Sequence, residues 1–214
     1  MKTPYGKPSG PLLVSHVGKT SVLFLSRHGT GKPVPPHRIN HRANLWALRE
    51  SGARTVISSA SVGSLKKDIR PGTLLVPDDY LAPWHQVTYH EEEARHVTPG
   101  FDASLRAKLL EAAERVHLKV RDGGTYVQTL GPRLETPAEV RMIAQFGDVV
   151  GMTMAAEATL ARELGLKYAA LCSVDNYAHG ITDHPLTFAH IKAEQKKNEE
   201  RVRRVLLQAL RGKP

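Results

Sequence analysis

The chain has 214 residues, of which 41% are hydrophobic and 24% are charged, and its formal net charge is +9. These values fit one folded domain over residues 1–214 and argue against a disordered or fibrous chain. No apolar run approaches the ~18 residues of a membrane span, and the N-terminal stretch MKTPYGKPSG lacks the apolar core of a secretory leader. Its single cysteine, Cys172, cannot form an internal disulfide, which suits a cytoplasmic protein.

The excess of positive charge raises the question of a nucleic-acid partner. Lysine and arginine are dispersed apart from two clusters, FLSRHGTGKPVPPHRINHR and KAEQKKNEERVRRVLLQALR. The second cluster carries apolar residues at helical spacing, which predicts a surface helix with a solvated charged face. Aromatic residues make up only 6% of the chain and do not interleave with either cluster. We therefore expect no nucleic-acid partner, because platforms on which bases could stack are not evident.

Short apolar runs alternate with helical patterns along the chain. The first half predicts a strand at SVLFLS, a helix at RANLWALRESG, and at TVISSASVGS a strand that runs into a small-residue loop. It then predicts a strand at GTLLVPDDYL and a helix at DASLRAKLLEAAERVHL with Asp102 or Ser104 as its cap. The second half predicts a strand at GGTYVQTL, a helix at TPAEVRMIAQFG, a strand at DVVGMT, a helix at AAEATLARELG, a strand at KYAALCSV and a last helix from about Thr187. This order predicts a single-domain α/β fold, in which helices flank both faces of a mainly parallel mixed sheet.

Ligands bind beyond the carboxyl ends of the strands in such sheets, so the residues that follow each predicted strand matter most. In chain order these are Arg27 and His28, residues 59–64, residues 131–136, residues 151–153, and Asp175 to Tyr177. Each has an ordinary structural interpretation, such as a turn former, a helix-start carboxylate or a core methionine. Together they offer a cation and hydroxyls for an oxyanion, a carboxylate and an amide for a heterocycle, and a thioether for a sugar. The combination predicts a binding site.

Six stretches, spread over nearly the whole chain, carry a resemblance to a known family. They are TPYGKPSGPL, RHG with PPHRINHRANLWAL, VGSLKKDIRPGTLLVPDDYL, GPRLETPAE, GDVVGMT with EATLARELGLKYAALC, and DNYAHGIT. On these motifs the chain resembles the trimer-forming purine nucleoside phosphorylases, and among them the methylthioadenosine and methylthioinosine phosphorylases. The resemblance implies a nucleoside phosphorylase-like fold, a homotrimer or homohexamer, and a reaction that needs no metal or organic cofactor.

The implied reaction is attack of inorganic phosphate on C1′ of a purine nucleoside, which releases the free base and a pentose 1-phosphate. In the family's pattern Arg27 and His28 hold the phosphate, the arginine through its planar fork. Ser61 and the backbone around Ala60 complete the anion site. Thr153 contacts the phosphate or the sugar.

The resemblance also implies which residues face the base. Glu135 would accept a hydrogen bond from N1–H, Asn176 would donate to O6 or N7 of the departing base, and Leu134 stands where relatives carry a stacking phenylalanine. Relatives that prefer 6-aminopurines usually carry Asp at the positions of Asn176 and Ala178. We therefore favour 6-oxopurine nucleosides, with Asn176 as a catalytic residue. Asp175 keeps adenine nucleosides open, because a loop offset by one residue would let it protonate N7.

The ribose contacts follow from the same pattern. Met152 would pack under the sugar, and His37, on a proline-stiffened loop, would lie near the same pocket. The residue that faces the 5′ position falls on Phe188, whose apolar ring would suit a methylthio group. His190 lies two residues away and keeps a 5′-hydroxyl open.

One part of the family's pattern is not matched. Relatives carry a strand and a Gly-rich turn that cradles phosphate ahead of the first matched motif. Two explanations stay open. Either the natural protein lacks this segment and the basic cluster takes over its phosphate contacts, or the sequence begins inside a longer one. Three functions stay open: a phosphorylase for 6-oxopurine nucleosides that include 5′-methylthioinosine, a methylthioadenosine phosphorylase, and a non-catalytic homologue that binds a nucleoside.

Overall fold

The computed structural model describes residues 2–84, 87–183 and 185–211. Its strands are β1 (Leu13–Val17), β2 (Thr20–Phe24), β3 (Thr55–Ser64), β4 (Leu74–Val76), β5 (Asp79–Leu81), β6 (Val120–Asp122), β7 (Thr125–Gln128), β8 (Val149–Gly151) and β9 (Lys167–Tyr177). Its helices are α1 (His41–Glu50), α2 (Ala103–Arg115), α3 (Pro137–Ile143), α4 (Met154–Glu163) and α5 (Phe188–Leu210), with a 3₁₀ turn at Pro36–Arg38.

The main sheet has the strand order β5-β7-β8-β3-β9-β4-β6. Neighbouring strands run parallel except at β3–β8 and β9–β4, so the prediction of a mainly parallel mixed sheet is confirmed. The strands β1 and β2 form a separate antiparallel ribbon. The long pair of β3 and β9 lies at the centre of the main sheet and supplies the backbone on which the candidate site is built.

Helices cover both faces of this sheet, as predicted. On one face α4 packs on β9 and β7, with α1 behind it, and Met154 and Leu160 of α4 are fully buried. On the other face α2 and α5 pack together on β9, where Leu109 meets Val205. Cys172 is a buried free thiol, as expected. Within the described ranges, no helix combines the length and the apolar character that crossing a bilayer requires.

The helix starts follow capping chemistry that the sequence makes visible. Asp102 caps α2 by accepting from the backbone N–H of Leu105 at 2.9 Å, while Ser104 donates to the Asp102 carboxylate. Thr136 and Glu139 form a capping box at the start of α3. Thr187 caps α5, so the predicted start of the last helix is confirmed.

The predicted strand GTLLVPDDYL is wrong as a single element. It divides at Pro77 into β4, beside β9 and β6, and β5, at the far edge beside β7. Proline has no backbone N–H, so it interrupts the ladder at that point. The central strands are longer than predicted, because β3 runs through Ser64 and β9 through Tyr177. Residues expected in loops after these strands are therefore part of the sheet.

Candidate active site

The guanidinium of Arg27, just beyond the end of β2, spans the gap to β3. Its Nε and Nη2 donate to the two carboxylate oxygens of Glu157 at 2.7 and 2.8 Å. Its Nη1 donates to the carbonyl of Ser59 at 2.6 Å, and Nη2 also contacts the hydroxyl of Ser58. The Ser59 carbonyl lies on the edge of β3 away from β9, where no described strand pairs with residues 55–62. Described residues thus engage four of the five N–H groups of Arg27, and the second N–H of Nη1 bonds none of them.

Glu157, in the first turn of α4, is the buried counter-ion of Arg27. Besides the two bonds from Arg27, it accepts from the hydroxyls of Tyr168 at 2.7 Å and Ser58 at 3.1 Å, and His41 lies 3.8 Å away. Burial alone would raise the pKa of Glu157, but the Arg27 charge and these hydrogen bonds outweigh it and hold the pKa at about 2. The carboxylate is therefore ionised throughout the neutral range and fixes the orientation of Arg27.

Three other residues expected at the phosphate, His28, Ser61 and Ala60, differ in their burial and hydrogen bonds. His28 is half-buried, and its Nδ1 lies 2.9 Å from the carbonyl of Val34. A carbonyl only accepts, so Nδ1 carries a proton and Nε2 is the ring nitrogen left to face a ligand. The Ser61 hydroxyl accepts from Gln195 of α5 at 2.9 Å and also hydrogen-bonds the Asp175 carboxylate, so the backbone is the part of Ser61 that remains for an anion. Ala60 is half-buried and packs against the same apolar cluster as Met154.

A tyrosine hydroxyl organises the turn between β8 and α4. The hydroxyl of Tyr126 accepts from the backbone N–H groups of Thr153 at 3.0 Å and Met154 at 3.3 Å. The Thr153 side chain makes no capping bond at the start of α4, so its hydroxyl stays available. Met152 packs against Gly131, where φ is +64° and where any Cβ would overlap the thioether sulfur. This close approach requires glycine and places Met152 against the GPRLET segment.

Glu135 is a buried carboxylate in this GPRLET segment. Its Oε1 accepts from the hydroxyl of Thr129 at 2.5 Å, and its backbone carbonyl lies 2.8 Å from Nδ1 of His179. The backbone N–H of Thr129 in turn bonds the carbonyl of Gly151 at 2.9 Å, which joins Glu135 to the turn that carries Met152. Its Oε2 makes no hydrogen bond to another described residue, so it can accept from a ligand.

Asn176 lies inside β9, opposite Gly63 of β3. Its Nδ2 donates to the carbonyl of Tyr177 at 2.9 Å, and a Cβ on Gly63 would lie 3.1 Å from this nitrogen. Ala178, also close to Gly63, is buried and brings no polar atom to this corner. The Asn176 amide therefore lies in a crowded corner beside Gly63, where its side chain is the polar group.

The side chain of Asp175 points towards α5. Its carboxylate accepts from Nδ2 of Asn198 on α5 at 2.8 Å and from the hydroxyl of Ser173 at 3.0 Å. Burial raises the pKa of Asp175 above its ordinary value, although these bonds act in the opposite direction. The Asp175 carboxylate thus faces α5, whereas the Asn176 amide lies beside Gly63.

The remaining candidates are more exposed. Leu134 precedes Glu135 and is 39% exposed, and Phe188 opens α5 and is 68% exposed, with Nζ of Lys192 4.9 Å from its ring centroid. His37 lies exposed in the 3₁₀ turn. Within the described residues, no hydrogen bond or ion pair joins these three side chains to the rest of the site.

Sequence reasoning missed the residues that hold the site together. Glu157, Tyr168, Tyr126 and Thr129 each fix a candidate residue or its backbone, yet none follows a predicted strand. The one available signal was Glu157, a single carboxylate in the apolar run MTMAAEATLA. A lone charge on an otherwise apolar helix segment indicates a buried partner of opposite charge.

The fold and the site define an α/β protein that combines an arginine–glutamate pair at one strand end with a separate carboxylate and amide along the same sheet. The chain belongs to the Phosphorylase superfamily, which it matches over residues 1–211.

Named relatives span several purine nucleoside specificities. The chain is 43% identical to a probable 6-oxopurine nucleoside phosphorylase of Archaeoglobus fulgidus, over 99% of this chain and 86% of the relative. It is 42% identical to a probable S-methyl-5′-thioinosine phosphorylase of Methanopyrus kandleri, over 88% of this chain and 75% of the relative. Its fold is similar to that of a variant adenosine/methylthioadenosine phosphorylase of Schistosoma mansoni in complex with tubercidin, with a TM-score of 0.90 and 28% identity over 98% of this chain and 84% of that structure.

Proposed function

We propose that the protein is a pentosyltransferase that catalyses the phosphorolysis of purine nucleosides, with 6-oxopurines as the favoured bases and 5′-methylthioinosine among the substrates. Inorganic phosphate forms a bond to C1′ while the bond from C1′ to the purine breaks, and the base leaves with the electron pair of that bond. The products are the free base and a pentose 1-phosphate. Membership of the Phosphorylase superfamily and the names of the relatives support this reaction class.

The observation that carries the proposal is the buried Glu135 carboxylate, fixed by Thr129 and joined to the Met152 turn, with one oxygen unused. A 6-oxopurine offers N1–H as a donor, and an ionised carboxylate can only accept, so the two are complementary. Asn176 would donate to O6 or N7 and stabilise the negative charge that develops on the departing base. The apolar Ala178 supplies no acceptor for a 6-amino group.

Phosphate would bind between Arg27 and the start of α4. The remaining N–H of Arg27, the Thr153 hydroxyl and the backbone around Ala60 and Ser61 would be its donors. His28 would contact the phosphate through Nε2, since Nδ1 is bound to the carbonyl of Val34. Glu157 offsets the charge of Arg27, so geometry and hydrogen bonding, rather than net charge, would select the phosphate.

The sugar would lie against Met152, with Phe188 at its 5′ end and with Leu134 and His37 at the rim. Phosphate is the only co-substrate that the reaction needs. We further propose a cytoplasmic homotrimer or homohexamer, with no nucleic-acid partner. The exposed apolar side chains of Met142 and Phe146, near α3, support an association surface. Sedimentation of the purified protein tests the assembly.

A second candidate function is that of a homologue that binds nucleosides without cleaving them. One observation favours it: most N–H groups of Arg27 already donate to protein acceptors. The test is chromatographic detection of free base from inosine, guanosine, adenosine and the two 5′-methylthio nucleosides, with and without phosphate. We expect phosphate-dependent release, with kcat/KM higher for 6-oxopurines. Faster cleavage of methylthioadenosine would identify a methylthioadenosine phosphorylase instead. Binding without cleavage would establish the second candidate.

A further inference from the structure

A buried polar cluster joins β9 to α5 on the side of Asp175. Asp175 and Asn198 are each only 2% exposed, and they are linked by the 2.8 Å bond from Asn198 Nδ2. Ser173 donates to the second carboxylate oxygen at 3.0 Å. Arg201 donates to Oδ1 of Asn198 at 2.9 Å and to the carbonyl of Gly72 at 2.6 Å. The cluster thus connects a helix, the central strand and the loop that precedes β4.

The backbone at Asp175 is irregular. Val174 pairs with Val62 and Asn176 pairs with Gly63, so Asp175 is the extra residue of a β-bulge in β9. A bulge leaves one residue unpaired in the ladder and re-aims the side chains next to it. The orientation of Asn176 is consequently set by where the bulge sits, since a bulge one residue earlier or later would turn Asn176 away from Gly63.

The side chain of Asp175 makes hydrogen bonds that replace those lost by the bulged backbone. An unpaired residue in a central strand gives up ladder hydrogen bonds, and a buried carboxylate costs free energy unless each oxygen finds a donor. Asn198, Ser173 and Ser61 provide those donors, and among the described residues no cation contacts the carboxylate directly. An apolar residue would fill the same space at lower cost in solvation, so the polar pair is suited to fixing one geometry.

We propose that Asp175 is a positioning residue, which acts with Asn198 to lock the β9 bulge and thereby holds the amide of Asn176 in the orientation that reads the base. The inference deepens the proposed function and rests on it. Asn198 would thereby link α5 to the base site from a position nearly three turns beyond its first residue, Phe188.

The experiment compares Asn198→Ala and Asp175→Ala with the conservative Asp175→Asn, which can still accept from Asn198 through its Oδ1. Asn44→Ala is the matched control, because Asn44 is also 2% exposed, lies on a helix and makes two hydrogen bonds to Ser9. We expect Asn198→Ala and Asp175→Ala to lose about tenfold to a hundredfold in kcat/KM for inosine. The KM for phosphate should change less than the KM for inosine, because Ser61 is the one described residue of the proposed anion site that hydrogen-bonds Asp175. In the two alanine variants, the ratio of kcat/KM for inosine to that for adenosine should fall. Asp175→Asn should restore most of this ratio and most of the kcat/KM for inosine.

The second readout is the side-chain amide resonance of Asn176, assigned by its loss in Asn176→Ala. It should shift in Asn198→Ala and Asp175→Ala and stay in place in Asn44→Ala. If the resonance and the inosine preference are unchanged at equal loss of stability, Asp175 is only structural and the inference is overturned. If the wild-type protein releases no base while the resonance still shifts, the proposed function fails and the positioning role stands.

Discussion

Replacing Glu157 by alanine should destabilise the protein by about 3–5 kcal/mol, because it leaves the buried Arg27 without its counter-ion. The wild-type carboxylate accepts from Arg27 at 2.7 and 2.8 Å, from Tyr168 at 2.7 Å and from Ser58 at 3.1 Å. The pKa gives a similar magnitude by a separate route. Its fall from the ordinary 4.5 to about 2 corresponds to about 3 kcal/mol, since each pKa unit is worth about 1.4 kcal/mol.

The sign of the pH dependence follows from the same values. The folded protein holds the pKa of Glu157 below that of the unfolded chain, so the contribution is fully present above pH 4.5 and is lost as the pH falls towards about 2. The wild-type protein should therefore lose about 3 kcal/mol through this group across that window. Glu157→Ala has no such group to protonate, so its free energy of unfolding should fall less steeply with acid.

Urea unfolding at neutral pH and in steps down to pH 3 measures both effects. Glu200→Ala is the control, since Glu200 forms an exposed ion pair with Arg203 and its removal should leave the midpoint nearly unchanged. The double variant Arg27→Leu with Glu157→Leu should recover most of the loss, because no unpaired charge is then buried. If Glu157→Ala unfolds with the same midpoint as Glu200→Ala, the pair does not hold the fold and the reasoning fails.

Three further outcomes are expected. Tyr126→Phe should cost about 1–3 kcal/mol in urea unfolding, because it leaves the buried N–H groups of Thr153 and Met154 without an acceptor; an unchanged midpoint would mean that water replaces the hydroxyl. Arg27→Lys keeps the charge beside Glu157 but loses the fork, so the KM for phosphate should rise about tenfold while the KM for the nucleoside holds; equal changes in both would make Arg27 structural. Asn176→Asp should shift kcat/KM towards adenosine, and an unchanged ratio would show that this side chain does not contact the base.

Much of the fold was predictable because its signals are local. The apolar runs of β3, β7, β8 and β9, and the caps at Asp102 and Thr187, mark elements by residue type alone. The ribbon strand β1 and the three-residue β6 were missed, since mostly exposed or very short strands leave little hydrophobic pattern. The ends of β3 and β9 were placed too early because small and polar residues there are typical of loops, whereas pairing between the two strands carries them on.

The candidate site was predicted in its residue types more than in its geometry. Reading the residues beyond each strand identified Arg27, Glu135 and Asn176. That reading could not tell which atoms of Arg27 are already engaged or that Asp175 faces α5, since both depend on residues over 20 positions away in sequence. Contacts between distant segments carry no local pattern, so Glu157 and Asn198 became visible only when the chain was folded.

The placement of Glu157 changes what the basic cluster after β2 can contribute to phosphate binding. Arg27 is paired with a carboxylate whose pKa is about 2, so the pair carries no net charge at neutral pH. Attraction of phosphate from a distance must then come from exposed cations such as Lys32 and Arg38, which act through solvent and are screened by salt. In the proposed site, final binding would depend on fixed neutral donors and on the remaining N–H of Arg27, which salt screens much less. Salt should therefore slow the capture of phosphate while leaving the turnover of bound substrate largely unchanged.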